Sequence, residues 1–171
     1  MEPYFECFST DSKESLIELY SYLFRKKLRI LKIVIGILAV VFFFAFLVTR
    51  DTYSLVLSIL YILILVWYIF LPRYHAGKAY RKSLKEFDGN IPPARIQFGD
   101  EIRYQDGAMQ LIFAYSKLKT VAVLKNSIVL ENQAGNYILF PINSLIKGTV
   151  PQLLAFLKEK CPHLKLPDWK W

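Results

Sequence analysis

Cysteine and histidine are scarce in this chain of 171 residues, which contains two of each. Cys7 and Cys161 have no CxxC partner, and neither His75 nor His163 has a cysteine or carboxylate at metal-ligand spacing. A P-loop, a GxGxxG loop and a Ser/His/Asp arrangement are also lacking. We therefore expect a protein that is not an enzyme, with no catalytic residues, metal site or cofactor. We interpret the cysteines as reduced structural thiols, with a disulfide as the alternative.

Charge is almost absent from one long stretch of the sequence. Between residues 33 and 71 the only formal charges are Arg50 and Asp51. The hydrocarbon core of a bilayer is about 30 Å thick and needs about 20 helical residues to cross it. The apolar stretch is long enough for two such crossings. We therefore predict transmembrane helices at 30–48 and 53–71, separated by an external turn at 49–52.

Arg50 and Asp51 allow three interpretations: a polar site inside the membrane, a kink in one long helix, or a turn between two helices. A single helix over residues 30–71 would be about 63 Å long, roughly twice the bilayer core. Charges at mid-membrane would cost several kcal/mol. A turn avoids both difficulties, and the side chain of Asp51 or Thr52 would cap the second helix. Two buried helices of a soluble protein remain the alternative.

Ten basic residues flank the apolar segments, five before the first and five after the second. Because the turn between the segments has no net charge, the positive-inside rule predicts cytoplasmic termini and an external turn. The basic residues are also candidate contacts for lipid headgroups, although determination of topology alone would account for them. The set comprises Arg25, Lys26, Lys27, Arg29, Lys32, Arg73, Lys78, Arg81, Lys82 and Lys85.

The segments on either side of the predicted hairpin have their own patterns. Residues 1–29 are predicted to form a cytoplasmic strand at 4–8 and an amphipathic helix that runs on into the first apolar segment. Asp11, with Glu14 three residues later, gives this helix a start that resembles a capping box. The acidic beginning of the chain argues against an ordinary signal peptide. Residues 72–90 are predicted to form a basic cytoplasmic helix or linker.

Residues 91–171 are predicted to form a cytoplasmic β-domain with a terminal helix. Alternating apolar residues and turn signals such as Asp106-Gly107 indicate about six short antiparallel strands. Thr149 is the predicted N-cap of an amphipathic helix that tolerates Pro151 in its first turn. The predicted strands are 95–98, 101–105, 109–113, 120–124, 127–131 and 137–140. The fold class is therefore membrane α+β, a transmembrane hairpin plus a small antiparallel sheet or barrel capped by a C-terminal helix.

Several features of this domain have a family counterpart. The strand-rich stretch IQFGDEIRYQDGAMQLIFAYSKLKTVAVLKNSIVLENQAGNYILFPINSLI has an aromatic residue, Tyr115, before its connector and a strand that ends at Pro141. The closing helix TVPQLLAFLKEKC follows it. In these features and in its order of elements the chain resembles the YcxB-like bacterial membrane proteins. The resemblance implies a bacterial cytoplasmic membrane location and a pleckstrin-homology-like domain of seven strands, and it implies no catalytic residues. Residues 4–8 would supply the seventh strand, or the barrel is incomplete.

Two functions are open at this point. The first is a non-enzymatic inner-membrane protein that presents a small cytoplasmic binding or scaffold domain at the membrane surface. The second is an accessory subunit or a small oligomeric component of a transporter or channel. The expected partners are the lipid bilayer, including anionic headgroups, and a protein of unknown identity. A homo-oligomer is compatible with the sequence, and no nucleic-acid partner is expected.

Overall fold

The computed structural model describes residues 4–10, 12–107 and 109–164, leaving aside the side chains of Lys26 and Lys27. The chain divides into two compact units. One unit is the helical segment Tyr20–Lys78, and the other combines Met1–Leu19 with Ala79–Trp171. Two long apolar helices, antiparallel sheets and a C-terminal helix give the chain an α+β composition.

The two long helices are α1, Lys13–Thr49, and α2, Thr52–Glu86. Between them, Arg50 has a positive φ of 57°, which reverses the chain direction. The carboxylate of Asp51 accepts hydrogen bonds from the backbone N–H groups of Tyr53 and Ser54, both at 3.3 Å. These contacts satisfy N–H groups at the start of α2 that have no partner within the helix. The prediction of a turn with an N-cap is confirmed, and the cap is Asp51.

Within the unit Tyr20–Lys78, small and aromatic residues bring the two helices together. The hydroxyl of Ser58, on α2, donates to the carbonyl oxygen of Ala39, on α1, at 3.0 Å, and both residues are buried. The rings of Phe42 and Tyr61 stack with centroids 5.7 Å apart. A small side chain such as that of Ala39 allows close approach of two helix backbones. The contacts therefore form an antiparallel helix pair.

Among the described residues of the other unit, eight strands form two antiparallel sheets. The five-stranded sheet has the order β4-β3-β2-β1-β8, and the three-stranded sheet has the order β5-β6-β7. The strands are β1 Phe5–Ser9, β2 Ala94–Phe98, β3 Ile102–Asp106, β4 Met109–Phe113, β5 Leu118–Val123, β6 Ser127–Asn132, β7 Tyr137–Pro141 and β8 Leu145–Lys147.

The N-terminal strand β1 lies inside the five-stranded sheet, between β2 and β8. It pairs with β2 along its full length, with Cys7 opposite Ile96, and with β8, where Cys7 is opposite Leu145. Of the two alternatives left open by the sequence, the structure has the one in which the N-terminal strand joins the sheet. The strand begins one residue later than predicted, at Phe5.

The prediction of about six strands in the C-terminal part of the chain is wrong, because β2 to β8 already make seven within the described ranges 91–107 and 109–164. The missed strand is β8, which has three residues and follows a short 3₁₀ turn at Ile142–Ser144. Three residues are too few to show the alternation that identifies a strand in a sequence. Pairing with β1, not local pattern, makes this segment a strand.

An apolar core fills this second unit, which we call the β-rich unit, and helix α3, Val150–Lys160, packs onto it. Fully buried side chains include Phe98 and Phe140, whose rings are in edge-to-face contact at 6.1 Å. Thr149 precedes α3, and its N–H donates to the side-chain oxygen of Gln152 at 3.0 Å. The predicted amphipathic character of this helix is confirmed, because five apolar residues of helical spacing form a buried stripe: Val150, Leu153, Leu154, Leu157 and Cys161.

Candidate functional site

The most extensive unusual surface is the apolar exterior of the helix pair. The segments Leu28–Thr49 and Thr52–Glu86 are long and apolar enough to cross a membrane. Only 11% and 6% of their most apolar windows are buried. A helix in the core of a soluble protein would instead have most of its apolar residues covered. Contiguous exposed apolar surface of this extent marks a contact with lipid or with another protein.

The predicted basic residues lie on the two long helices. On α1, Arg25 and Arg29 are exposed and Lys32 is half-buried, at spacing i, i+4 and i+7. The side chains of Lys26 and Lys27 lie outside the described part of the chain. On α2 the exposed residues are Arg73, Lys78, Arg81, Lys82 and Lys85. Lys78, Lys82 and Lys85 repeat the same spacing, so each helix has a basic stripe on one face rather than one compact cluster.

A polar network covers part of the outer face of the five-stranded sheet. The guanidinium of Arg95 donates to the carboxylate of Glu6, and the side-chain amide of Gln97 donates to the same oxygen at 3.1 Å. The Arg95 hydrogen bond is the main reason that the pKa of Glu6 is lowered. Arg95 also lies over the ring of Phe8, 5.6 Å from its centroid. These contacts join β1 to β2, so their evident role is structural.

A second ion pair joins β5 to β6. Lys119 Nζ lies 2.7 Å from Glu131 Oε1, and Glu131 is only 5% exposed. The hydrogen bond and charge of Glu131 raise the pKa of Lys119. Burial and the same carboxylate raise the pKa of Tyr137, on the neighbouring strand. A buried carboxylate needs a charged or hydrogen-bonded partner, and Lys119 is that partner for Glu131. The ion pair therefore stabilises the pairing of β5 with β6.

The two thiols are free, as predicted, and both are buried. Burial raises the pKa of Cys7 to about 12, and its sulfur contacts the carbonyl oxygen of Ile96 at 3.8 Å. Burial also raises the pKa of Cys161. Nucleophilic attack and metal binding need a thiolate. Neither cysteine supplies one at neutral pH.

Both histidines are engaged in packing or backbone contacts. The ring of His75 lies among three aromatic rings, with centroids 6.0 Å from Tyr20, 5.3 Å from Phe24 and 5.7 Å from Tyr74. A ring nitrogen of His163 lies 3.0 Å from the carbonyl oxygen of Leu118. Among the described residues, no group of three or more His, Cys, Asp and Glu side chains could hold a metal ion.

One polar cluster was not anticipated from the sequence. The carboxylate of Glu18, near the start of α1, accepts hydrogen bonds from the backbone N–H of Asn126 at 3.2 Å and from its side-chain amide at 2.8 Å. It also accepts one from the buried hydroxyl of Ser127. We call these three residues the Glu18 cluster. It fixes the first turns of α1 to the β5–β6 connection.

Comparison with protein-family models, with curated proteins and with solved structures finds no match for this chain. The function must therefore be inferred from the surfaces described above.

Proposed function

We propose that this protein is a non-enzymatic protein of the bacterial cytoplasmic membrane, anchored by the hairpin of α1 and α2. Its β-rich unit is a cytoplasmic binding or scaffold module at the membrane surface. The observation that supports anchoring best is the exposure of nearly all of both apolar helix windows. The scale of the hydrophobic effect makes an aqueous location for this surface implausible.

Many large apolar side chains of the two helices are exposed. Complete transfer of such a side chain from water contributes about 1.5–3 kcal/mol of stabilisation, so a half-exposed side chain contributes about half of that. At least eight on the two helices are more than two-fifths exposed, and a lipid environment would remove all of them from water together. Examples are Ile37, Val40, Val41 and Phe44 on α1, and Ile62, Leu63, Ile69 and Phe70 on α2.

Charge supports an orientation with the turn outside and both termini in the cytoplasm. The ten flanking basic residues lie towards the ends of the helix pair remote from the turn at Arg50 and Asp51. Basic residues next to a membrane segment are retained on the cytoplasmic side. Each one near an anionic membrane surface adds about 1 kcal/mol of attraction. The same residues therefore serve topology and headgroup contact.

A binding module is favoured over a channel component by the state of the hairpin's hydroxyl groups. Ser58 donates to the carbonyl oxygen of Ala39, and Ser54 donates to Asp51 at 3.1 Å. Hydroxyl groups engaged within the hairpin are poorly placed to line a pore. The β-rich unit, with two antiparallel sheets and a C-terminal helix, is compatible with the pleckstrin-homology-like domain that the YcxB-like resemblance implies.

Cysteine labelling tests the anchoring and its orientation. The parent chain is a suitable blank, because Cys7 and Cys161 are buried. We expect Arg50→Cys in intact cells to react with a membrane-impermeant maleimide. The control Asp100→Cys, at an exposed position in the β-rich unit, should react only after lysis. Release of the chain into the soluble fraction at alkaline pH, or labelling of position 50 only from the cytoplasm, would contradict the proposal.

A further inference from the structure

Strand β4 ends the five-stranded sheet with a free backbone edge. Its register with β3 pairs Met109 with Asp106, Leu111 with Tyr104, and Phe113 with Ile102. In an antiparallel hairpin closed by a two-residue connection, the residues next to the connection form a hydrogen-bonded pair, and every second residue after them does so too. The residues between them point their backbone N–H and C=O groups away from the partner strand. Gln110 and Ile112 are the outward residues of β4. Their outward groups make no hydrogen bond to any residue in the described ranges.

The other three sheet edges have features that discourage pairing. β8 has only three residues, ends at Lys147 and shows a register shift against β1. β5 has Lys119 near its start, and β7 ends at Pro141. Short length, lysine, proline and bulges are common means of protecting an edge strand. None of these features is present in β4, whose sequence is MQLIF.

Several side chains of β4 are exposed, although none of them is charged. Met109 is 57% exposed and Ile112 is 48% exposed. An apolar, uncharged and exposed edge offers a template for another strand. Unpaired backbone groups in a row are complementary to an extended peptide and to little else.

We propose that β4 pairs antiparallel with β4 of a second copy of this chain, about a two-fold axis through Leu111. This register places Gln110 opposite Ile112 of the other copy. These are the residues with outward N–H and C=O groups, so each such pair exchanges two backbone hydrogen bonds. The five-stranded sheets of the two copies then join into one continuous sheet.

Self-pairing is favoured over a charged partner strand because β4 has no charge to attract one. In the two-fold register Met109 faces Phe113 and Leu111 faces its own counterpart, so apolar side chains meet and no like charges are opposed. A single strand pair is a small interface. Stable pairing through so small an interface rests on the proposed membrane anchoring, because confinement of two copies to one membrane raises their effective concentration.

Disulfide capture of Leu111→Cys tests the register. In the two-fold arrangement the Leu111 pair is not hydrogen-bonded, so its Cα atoms lie about 4.5 Å apart, within the range that a disulfide spans. Membranes containing the full chain would be oxidised and analysed on a non-reducing gel. We expect most of the Leu111→Cys chain to migrate as a dimer, and the parent chain to remain monomeric.

The matched control is Ile146→Cys, at an exposed position on the opposite edge strand β8. We expect its dimer yield to be at least tenfold lower than that of Leu111→Cys. Equal yields would indicate random collision and would overturn the proposal. So would the absence of a Leu111→Cys dimer, or capture of a different protein in its place.

A second pair of variants tests the backbone hydrogen bonds. Ile112→Pro removes an outward N–H without breaking the ladder to β3, whereas Ile112→Ala keeps that N–H. In the Leu111→Cys background we expect the proline to lower the dimer yield at least tenfold and the alanine to retain it. Equal effects of proline and alanine would refute strand pairing.

Two checks keep these results interpretable. If Ile112→Pro fails to resist limited proteolysis, Gln110→Pro replaces it, since that N–H also points outward. Fractionation of the same cells reports on anchoring separately. A membrane-bound chain that does not cross-link refutes the dimer alone, and a soluble chain refutes the proposed anchoring.

Discussion

Removal of the Glu18 carboxylate should destabilise the β-rich unit by about 2–5 kcal/mol. Ser127 is fully buried, and its hydroxyl would lose a charged acceptor. A buried polar group without a partner costs about 1–3 kcal/mol. The two hydrogen bonds from Asn126 are exposed, so each should add only about 0.5–1 kcal/mol, the lower part of the usual range. The contributions of Ser127 and of the two Asn126 hydrogen bonds together give the loss of stability expected for Glu18→Ala.

Hydrogen exchange of the β6 amides in the full chain measures this change as a loss of opening free energy. Glu14→Ala is the matched control, because Glu14 lies one turn earlier on α1 with an exposed side chain. It should change the opening free energy by less than about 0.5 kcal/mol. Glu18→Gln should have an intermediate effect, since it keeps one carbonyl oxygen as an acceptor.

A double-mutant cycle with Ser127→Ala separates the hydrogen bond from other effects of the substitutions. Ser127→Ala alone removes a donor and leaves no buried hydroxyl unsatisfied. We expect a coupling energy of about 1–2 kcal/mol between positions 18 and 127, within the range for contacting residues. Additive effects of the two substitutions, or equal losses for Glu14→Ala and Glu18→Ala, would refute the reasoning.

Two further predictions concern the same unit. Gly148→Ala should lower the free energy of unfolding by about 1–3 kcal/mol, because Gly148 has a φ of +87° and a Cβ there would lie 2.5 Å from the Phe5 ring. The control is Gly99→Ala, where a Cβ would have no neighbour within 4 Å, and it should change the free energy of unfolding by less than about 1 kcal/mol. Folding raises the pKa of Cys7 from 9.0 to about 12, so above pH 9 the unfolded chain loses a proton that the folded chain keeps. Cys7 alone should therefore lower the stability by about 1.4 kcal/mol per pH unit between pH 9 and 12. Cys7→Ala should remove this part of the pH dependence measured by hydrogen exchange, and an unchanged slope would contradict the assignment.

The helices were predictable because their signals are local and strong. The two apolar stretches exceed the length of ordinary core helices, and Asp51 precedes α2 as an N-cap should. The alternation in 95–113 also predicted β2, β3 and β4 to within one residue at each end. The stripe of α3 has the period of a helix packed on a sheet.

What could not be predicted depends on contacts between distant parts of the chain. The Glu18 cluster joins positions 108 residues apart, and nothing near Glu18 distinguishes it from the exposed Glu14. Strand β8 exists because β1 pairs with it, and β1 lies 136 residues or more before it in sequence. Whether such a segment forms a strand depends on its pairing with distant strands and not on its local sequence pattern.

The position of β1 also decides which fragment of this protein is a fair test of binding. The β-rich unit was predicted as residues 91–171, but that fragment lacks the strand between β2 and β8. Without β1, the inward groups of both neighbouring strands would lose their partners, and the Cys7 side chain would leave a gap in the core. A fragment that joins residues 4–19 to 79–164 through a flexible linker retains β1 and the Glu18 cluster. Failure of the fragment 91–171 to fold or bind would therefore not contradict the proposed binding module. Failure of the linked fragment, which contains β1, would contradict it.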